Sequence, residues 1–150
     1  MNNLEKVFIT GSSGGIGSAI TKKFIDIGYK LILISSSNEK LSTMKNAYGD
    51  FHSYYLLDLS DLSSVTSKMN EIANEHPDIS IVINNAGMTS DSLLLRMKLE
   101  QWQEVINTNL SSNFAIIKSI LPNMIKHKRE KLLESHLWWH YLVILVSLIM

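Results

Sequence analysis

Thr10-Gly11-Ser12-Ser13-Gly14-Gly15-Ile16-Gly17 stands between the apolar run Val7-Phe8-Ile9 and a stretch with helical periodicity. A glycine-rich turn that leaves a strand and opens a helix is where a dinucleotide-binding fold places phosphate. Glycines at 11, 15 and 17 let the backbone pass close under a pyrophosphate, and some such positions need positive φ. The following helix offers unpaired N–H groups and the positive end of its dipole. Ser12 and Ser13 are expected to add hydroxyl donors. The plain alternative, a Gly/Ser-rich connection without a ligand, is disfavoured by the strand before the turn and the helix after it.

Outward from this turn, short apolar runs alternate with helical stretches. Val7 to Ile9 reads as a first strand and Ile16 to Ile27 as a helix, with Ile16, Ile20, Phe24 and Ile27 sharing a face. Gly28 is placed to end that helix. Leu31 to Ile34 is a continuous apolar strand, the pattern of a parallel sheet covered on both faces. A helix is expected over Lys40 to Tyr48 and a third strand over Tyr54 to Leu57. A second long helix spans Asp61 to Asn74, capped by Ser60 or Asp61, and a fourth strand spans Ile79 to Ile83. A helix from Glu100 to about Lys128 should be interrupted near Pro122. This alternation predicts an α/β fold, a Rossmann-type doubly wound parallel sheet, C-terminally incomplete. The domain is expected over residues 1–129, followed by an aberrant apolar tail over 130–150, because from about Arg129 neither period persists.

Composition narrows the function classes. The 150 residues carry 14 Lys+Arg and 14 Asp+Glu, for a formal net charge of zero. That balance argues against a basic nucleic-acid surface and an acidic tail. There is no cysteine, which excludes thiolate chemistry and agrees with a cytoplasmic location. The start, MNNLEKVFIT, lacks the basic and apolar regions of a signal peptide. No histidine spacing suggests a metal; His136 and His140 are four apart but lack a third ligand. Met88, Leu93 to Leu95, Met97 and Trp102 could line an acyl pocket, although apolar residues at this spacing are more often core.

Four motifs now stand in order: TGSSGGIG, Asp58-Leu59 after the third strand, Asn84-Asn85-Ala86-Gly87 after the fourth, and Asn109 within NTNLSSNF. Together they resemble the short-chain dehydrogenase/reductase family. Asn84 to Phe114 looks, more narrowly, like bacterial 3-oxoacyl-[acyl-carrier-protein] reductases. The resemblance implies NADPH-dependent reduction of a 3-oxoacyl thioester on acyl carrier protein, in fatty acid biosynthesis, by a homo-oligomer. It assigns cofactor contacts to Gly11, Ser12, Ser13, Gly15, Ile16, Gly17, Asp58, Leu59, Asn85, Ala86 and Gly87. Asp58 would meet adenine, unless it only caps the next helix. Asn109, a poor helix former, corresponds to the family's catalytic-site asparagine, which locally disturbs its helix. After the second strand comes Ser35-Ser36-Ser37-Asn38, with no acid to repel a 2′-phosphate. Ser36 is positioned to bind ribose or phosphate, so NADP is favoured over NAD. Gly14, however, stands where NADPH-preferring relatives often carry arginine.

None of the five tyrosines is followed four residues later by lysine. The family's proton-donating tyrosine, its lysine and its carbonyl-polarising serine are therefore missing, and the chain is expected to be inactive as a reductase. Read one nucleotide earlier, with codons chosen freely, Lys131 onward can spell IIRISSVVALPGNPGQSNY, which matches the family's continuation. The sequence thus predicts a truncated product with a frameshifted tail. Two alternatives remain: a nucleotide-binding fragment that pairs with intact homologues, or a small tail-anchored membrane protein. Leu137 to Met150 is shorter than the roughly 20 residues a membrane-spanning helix needs.

Overall fold

The computed structural model describes residues 5–127 in full and the backbone of 131–134. Five parallel strands form one sheet in the order β3-β2-β1-β4-β5. They are β1 (Lys6–Ile9), β2 (Lys30–Ser35), β3 (Ser53–Leu56), β4 (Ile79–Asn84) and β5 (Lys131–Glu134). The helices are α1 (Gly15–Asp26), α2 (Asn38–Tyr48), α3 (Leu62–Glu75), α4 (Leu99–Ile106) and α5 (Ser112–His127). Strand order reverses between β1 and β4, so a crevice opens at the carboxyl ends of these two strands.

Alternation along the strands builds two cores. Val7, Ile9, Leu31, Leu33, Ile81 and Ile83 face α1 and α2, where Ile20, Phe24, Leu41 and Met44 meet them. Phe8, Ile32, Ile34 and Val82 face α3 and α5, against Val65, Met69, Ile72, Ile116, Ile120 and Met124. Such two-sided burial explains why β2 and β4 read as continuous apolar runs.

Helix ends follow local chemistry. At the end of α1, Gly28 has φ +86°. Its N–H donates to Ile25 O at 2.9 Å, and the Tyr29 N–H donates to Phe24 O at 3.0 Å. That is a Schellman motif, closed by an edge-on contact between the Phe24 and Tyr29 rings. Asp61, rather than Ser60, caps α3: its side chain accepts from the Ser63 and Ser64 N–H groups. Ser37 caps α2 by accepting from Lys40 N.

Four expectations need correction. Ile16 and Ile27 are 67% and 56% exposed, so only the middle of the expected α1 face packs. The long helix is interrupted by a π-helical turn at Asn107–Ser111 and not at Pro122, which lies inside α5. Pro122 is exposed, so the carbonyl that its missing N–H leaves unpaired can turn to water. Third, the regular fold does not end at 129. Lys131–Glu134 pairs with Ile81–Asn84 as a fifth parallel strand. The fourth expectation, a core position for Leu93 to Leu95 and Trp102, also fails: Leu95 is fully exposed and Trp102 is 55% exposed. The rest of the tail, including its apolar stretch, His136 and His140, lies outside the described residues.

Candidate functional site

Gly11, Gly15 and Gly17 do different work. Gly11 has φ +61°, and a Cβ there would lie 2.8 Å from Ala86 Cα. A Cβ at Gly17 would overlap Gly11 O and lie 2.6 Å from Asn85 Nδ2. Both glycines are thus required by protein packing. Gly15 has nothing within 4 Å of its Cβ position. It faces open space at the first position of α1, where N–H groups have no intrahelical acceptor.

The turn is tied to β4 across more than seventy residues. Thr10 Oγ1 accepts from Asn85 N at 3.1 Å and from Ala86 N at 3.0 Å. Asn85 Nδ2 donates to Gly11 O at 3.0 Å. The asparagine side chain therefore braces the glycine turn from beneath.

These elements border a cleft of about 600 Å³. It is lined by Gly11, Ser13, Gly15, Ile16 and Gly17 from the turn, and by Ser36, Asp58 and Leu59 beyond β2 and β3. Asn85, Ala86 and Gly87 complete the β4 side. Ile16 is exposed because it looks into this cleft and not into the core. Asp58 Oδ1 accepts from Ser60 N at 2.9 Å and Ser60 Oγ at 2.8 Å. Asp58 therefore shapes the turn after β3 and is not a helix cap.

Ser12 is a correction. It is fully buried and donates to Ile34 O at 3.1 Å, so it has no hydroxyl to offer a phosphate. Asn109 does not line the cleft. Its Nδ2 donates to Met88 O at 2.8 Å, and its Oδ1 accepts from Met88 N at 2.9 Å. It sits in the π-helical turn, as its expected disturbance of the helix requires. The cleft also gathers Met88, which the sequence offered for an acyl pocket, and Ser35, Lys40, Glu104 and Thr108, which sequence reasoning did not single out. Lys40 had a readable signal, a cation just after the second strand. Among the described residues no group of His, Asp and Glu could hold a metal ion, and no helix is long and apolar enough to cross a membrane.

The chain is 39% identical over 132 residues to the 3-oxoacyl-[acyl-carrier-protein] reductase FabG of Buchnera aphidicola subsp. Acyrthosiphon pisum, covering 87% of this chain and 54% of that protein. It is 34% identical over 125 residues to the Escherichia coli protein of the same name, covering 83% and 51%. The chain spans about half the length of these curated relatives. A metagenomic short-chain oxidoreductase, solved in complex with NADP, superposes with a TM-score of 0.79 at 27% identity, covering 87% of this chain and 61% of that one. A short-chain dehydrogenase from Streptomyces avermitilis shares the fold at a TM-score of 0.80 and 19% identity, covering 89% and 49%. The short chain dehydrogenase model matches residues 5–133, from the strand before the glycine turn into β5. With that match and that fold, the chain belongs to the short chain dehydrogenase family.

Proposed function

We propose that this chain is the cofactor-binding part of an NADP(H)-dependent, cytoplasmic reductase of 3-oxoacyl thioesters carried by acyl carrier protein. The observation that carries the reading is the open space at Gly15, on the rim of the cleft and at the start of α1. A phosphate fits there because the N–H groups of a helix start are donors and no Cβ fills the volume. The substrate class rests on the likeness to the named reductases.

When bound, a nicotinamide dinucleotide exchanges hydride with a carbonyl carbon. The chain's own residues hold and orient it. Gly11, Ser13, Gly15, Ile16 and Gly17 take the pyrophosphate side. Ser36 faces the adenosine ribose, and Asp58 and Leu59 face adenine. Asn85, Ala86 and Gly87 carry the floor toward the nicotinamide end. Asn109 acts through Met88 and is a positioning residue.

Without a Tyr-x-x-x-Lys pair in these 150 residues, we assign them binding and not turnover. A positioned proton donor contributes about 10²–10⁴-fold to rate. Titrating the purified chain with NADPH and following nucleotide fluorescence tests binding; no saturable signal would remove the reading. Incubation with NADPH and an acetoacetyl thioester tests the second half. Oxidation at the rate of a full-length relative would overturn the binding-only assignment.

A second reading is that the chain pairs with intact homologues. It is favoured by Trp102 and Phe114, both 55% exposed on the α4–α5 side. Co-purification with a full-length reductase would support it, and a strictly monomeric chain in the presence of that reductase would remove it.

A further inference from the structure

We infer that Asn107 is a positioning residue that carries adenosine binding to the nicotinamide end of the cleft. The role rests on the dinucleotide reading above, in which Asp58 and Leu59 face adenine. Asn107 opens the π-helical turn. Its Nδ2 donates to Ser60 O at 3.1 Å, across 47 residues. Its Oδ1 accepts from Gln103 Nε2 at 2.8 Å, which leaves the amide end of the group for Ser60. Ser60 is held in turn by Asp58 Oδ1, through both its N–H and its hydroxyl. Two residues beyond Asn107, Asn109 pairs with both sides of the Met88 peptide. A continuous path of hydrogen bonds, joined by the backbone of the turn, therefore runs from Asp58 through Ser60, Asn107 and Asn109 to Met88. Asp58, Ser60 and Met88 all border the cleft.

Little else holds the start of this turn. Helix α4, which leads into it, carries no buried residue. Among the described residues, the Asn107–Ser60 contact is the one side-chain hydrogen bond from α4 or the π-helical turn to the β3–α3 connection. The far end is anchored differently. Buried Ser112 donates from Oγ to Thr108 O at 2.7 Å, and buried Asn113 donates from Nδ2 to Asn109 O at 2.9 Å. The turn is thus firm toward α5 and depends on one bond toward Ser60. A segment with few buried contacts opens easily. A nucleotide that orders the β3–α3 connection removes that freedom at Ser60, and with it part of the cost of holding Met88. A staple with no link to the ligand would hold Met88 equally with and without nucleotide.

The test uses the full chain and 5′-AMP, which supplies the adenosine half and lacks the nicotinamide half. Hydrogen exchange of the Met88 N–H, the donor to Asn109, is followed by NMR and compared with that of Val82 in the core of β4. Saturating AMP should slow Met88 exchange, relative to Val82, by about two- to tenfold, the factor that corresponds to one neutral hydrogen bond. Asn107→Ala should still bind AMP but show no such slowing. Asn107→Asp keeps an acceptor for Gln103 and loses the donor to Ser60, so it should behave as the alanine variant does. In the unaltered chain, the side-chain amide protons of Asn107 should also exchange more slowly with AMP bound. A Met88 response that survives both substitutions would overturn the role of Asn107 and leave the nucleotide cleft standing. So would an unaltered chain that binds AMP while neither Met88 nor Asn107 responds. Failure of the unaltered chain to bind AMP would overturn both the role and the cleft reading.

Discussion

The Asn109 carboxamide spans the peptide of Met88, donating to its oxygen at 2.8 Å and accepting from its nitrogen at 2.9 Å. Side chain and main chain pair as two strands would. The contact pins the segment after Gly87 to the π-helical turn, and Met88 borders the cleft. Asn109→Ala leaves a part-buried N–H and C=O without these partners, at a cost of about 1–3 kcal/mol. Urea denaturation should show that loss, and NADPH should bind more weakly. Asn109→Asp should be no better, because a carboxylate cannot donate to Met88 O. Unchanged stability in both variants would contradict the positioning role.

Two glycines of one turn should respond oppositely to alanine. At Gly17 a methyl group would overlap Gly11 O and crowd Asn85 Nδ2. Since both neighbours are held in place, Gly17→Ala should cost about 3 kcal/mol or more. At Gly15 the space is open. Gly15→Ala should leave stability unchanged or raise it by up to about 1 kcal/mol through helix propensity, while nucleotide affinity falls. Paired denaturation and binding measurements on the two variants check the split.

Mild acid should weaken the fold through two buried histidines. His52 Nδ1 accepts from Leu31 N at 3.1 Å. Burial, with help from Lys30, lowers its pKa below the ordinary 6.5. His76 is lowered chiefly by burial and by Lys6, whose Nζ lies 3.1 Å from its Nδ1; Lys30 adds to the lowering. Glu75 and Asp78 oppose that shift. The unfolded chain therefore binds protons that the folded chain refuses, and stability rises with pH in this range. The contribution is complete above about pH 6.5, the unfolded value, and is lost as pH falls toward the lower folded values. The urea midpoint should drop between pH 7 and pH 5, and less so in His76→Gln. A flat profile would refute this.

Asp61 should act in a different window. Its carboxyl group, held by Ser64 and then Ser63, is lowered to about 2. A carboxylate with a depressed pKa stabilises above its unfolded value near 4 and loses that contribution as pH falls through about 2. Asp61→Ala should lower stability at neutral pH, as loss of an N-cap does. The difference from the parent chain should vanish at the acid end.

Deleting Lys131–Glu134 should make the chain aggregate. β4 is buried along its whole length, and its free side is covered by β5. Without β5, its unpaired N–H and C=O groups become an exposed apolar edge, ready to pair with another chain. Light scattering on purified truncated and parent chains checks this; equal solubility would mean that β5 is dispensable.

The order of elements and the cleft floor were legible because glycine spacing and continuous apolar strands are local signals. The strand β5 was not. Lys131-Leu132-Leu133-Glu134 has charged ends, follows His127-Lys128-Arg129-Glu130, and carries no alternation. Its pairing with Ile81–Asn84 is a tertiary fact. Ser12 misled because a hydroxyl beside a glycine turn looks like a ligand donor, whereas its actual acceptor, Ile34 O, lies in another strand. Ile16 carried two expectations, a packing face of α1 and a cofactor contact; it borders the cleft, and only the packing one fails, since an apolar residue at a ligand cleft has the sequence appearance of core. Asn109 was found by motif, but its partner, the Met88 peptide, had no sequence signal.

The hydrogen bonds from Asn85 and Ala86 to Thr10 join chain segments that are neighbours only once β1 and β4 lie side by side. An isolated turn peptide would hold the same glycines yet lack that brace. Nucleotide affinity is therefore a report on closure of the sheet. Any ligand that needs both segments stabilises the folded chain by RT ln(1 + [L]/Kd), about 2.7 kcal/mol at a hundredfold excess over Kd. For a chain of this size such a gain is a large part of the whole margin, so the supply of cofactor can set how much of the protein is folded at all.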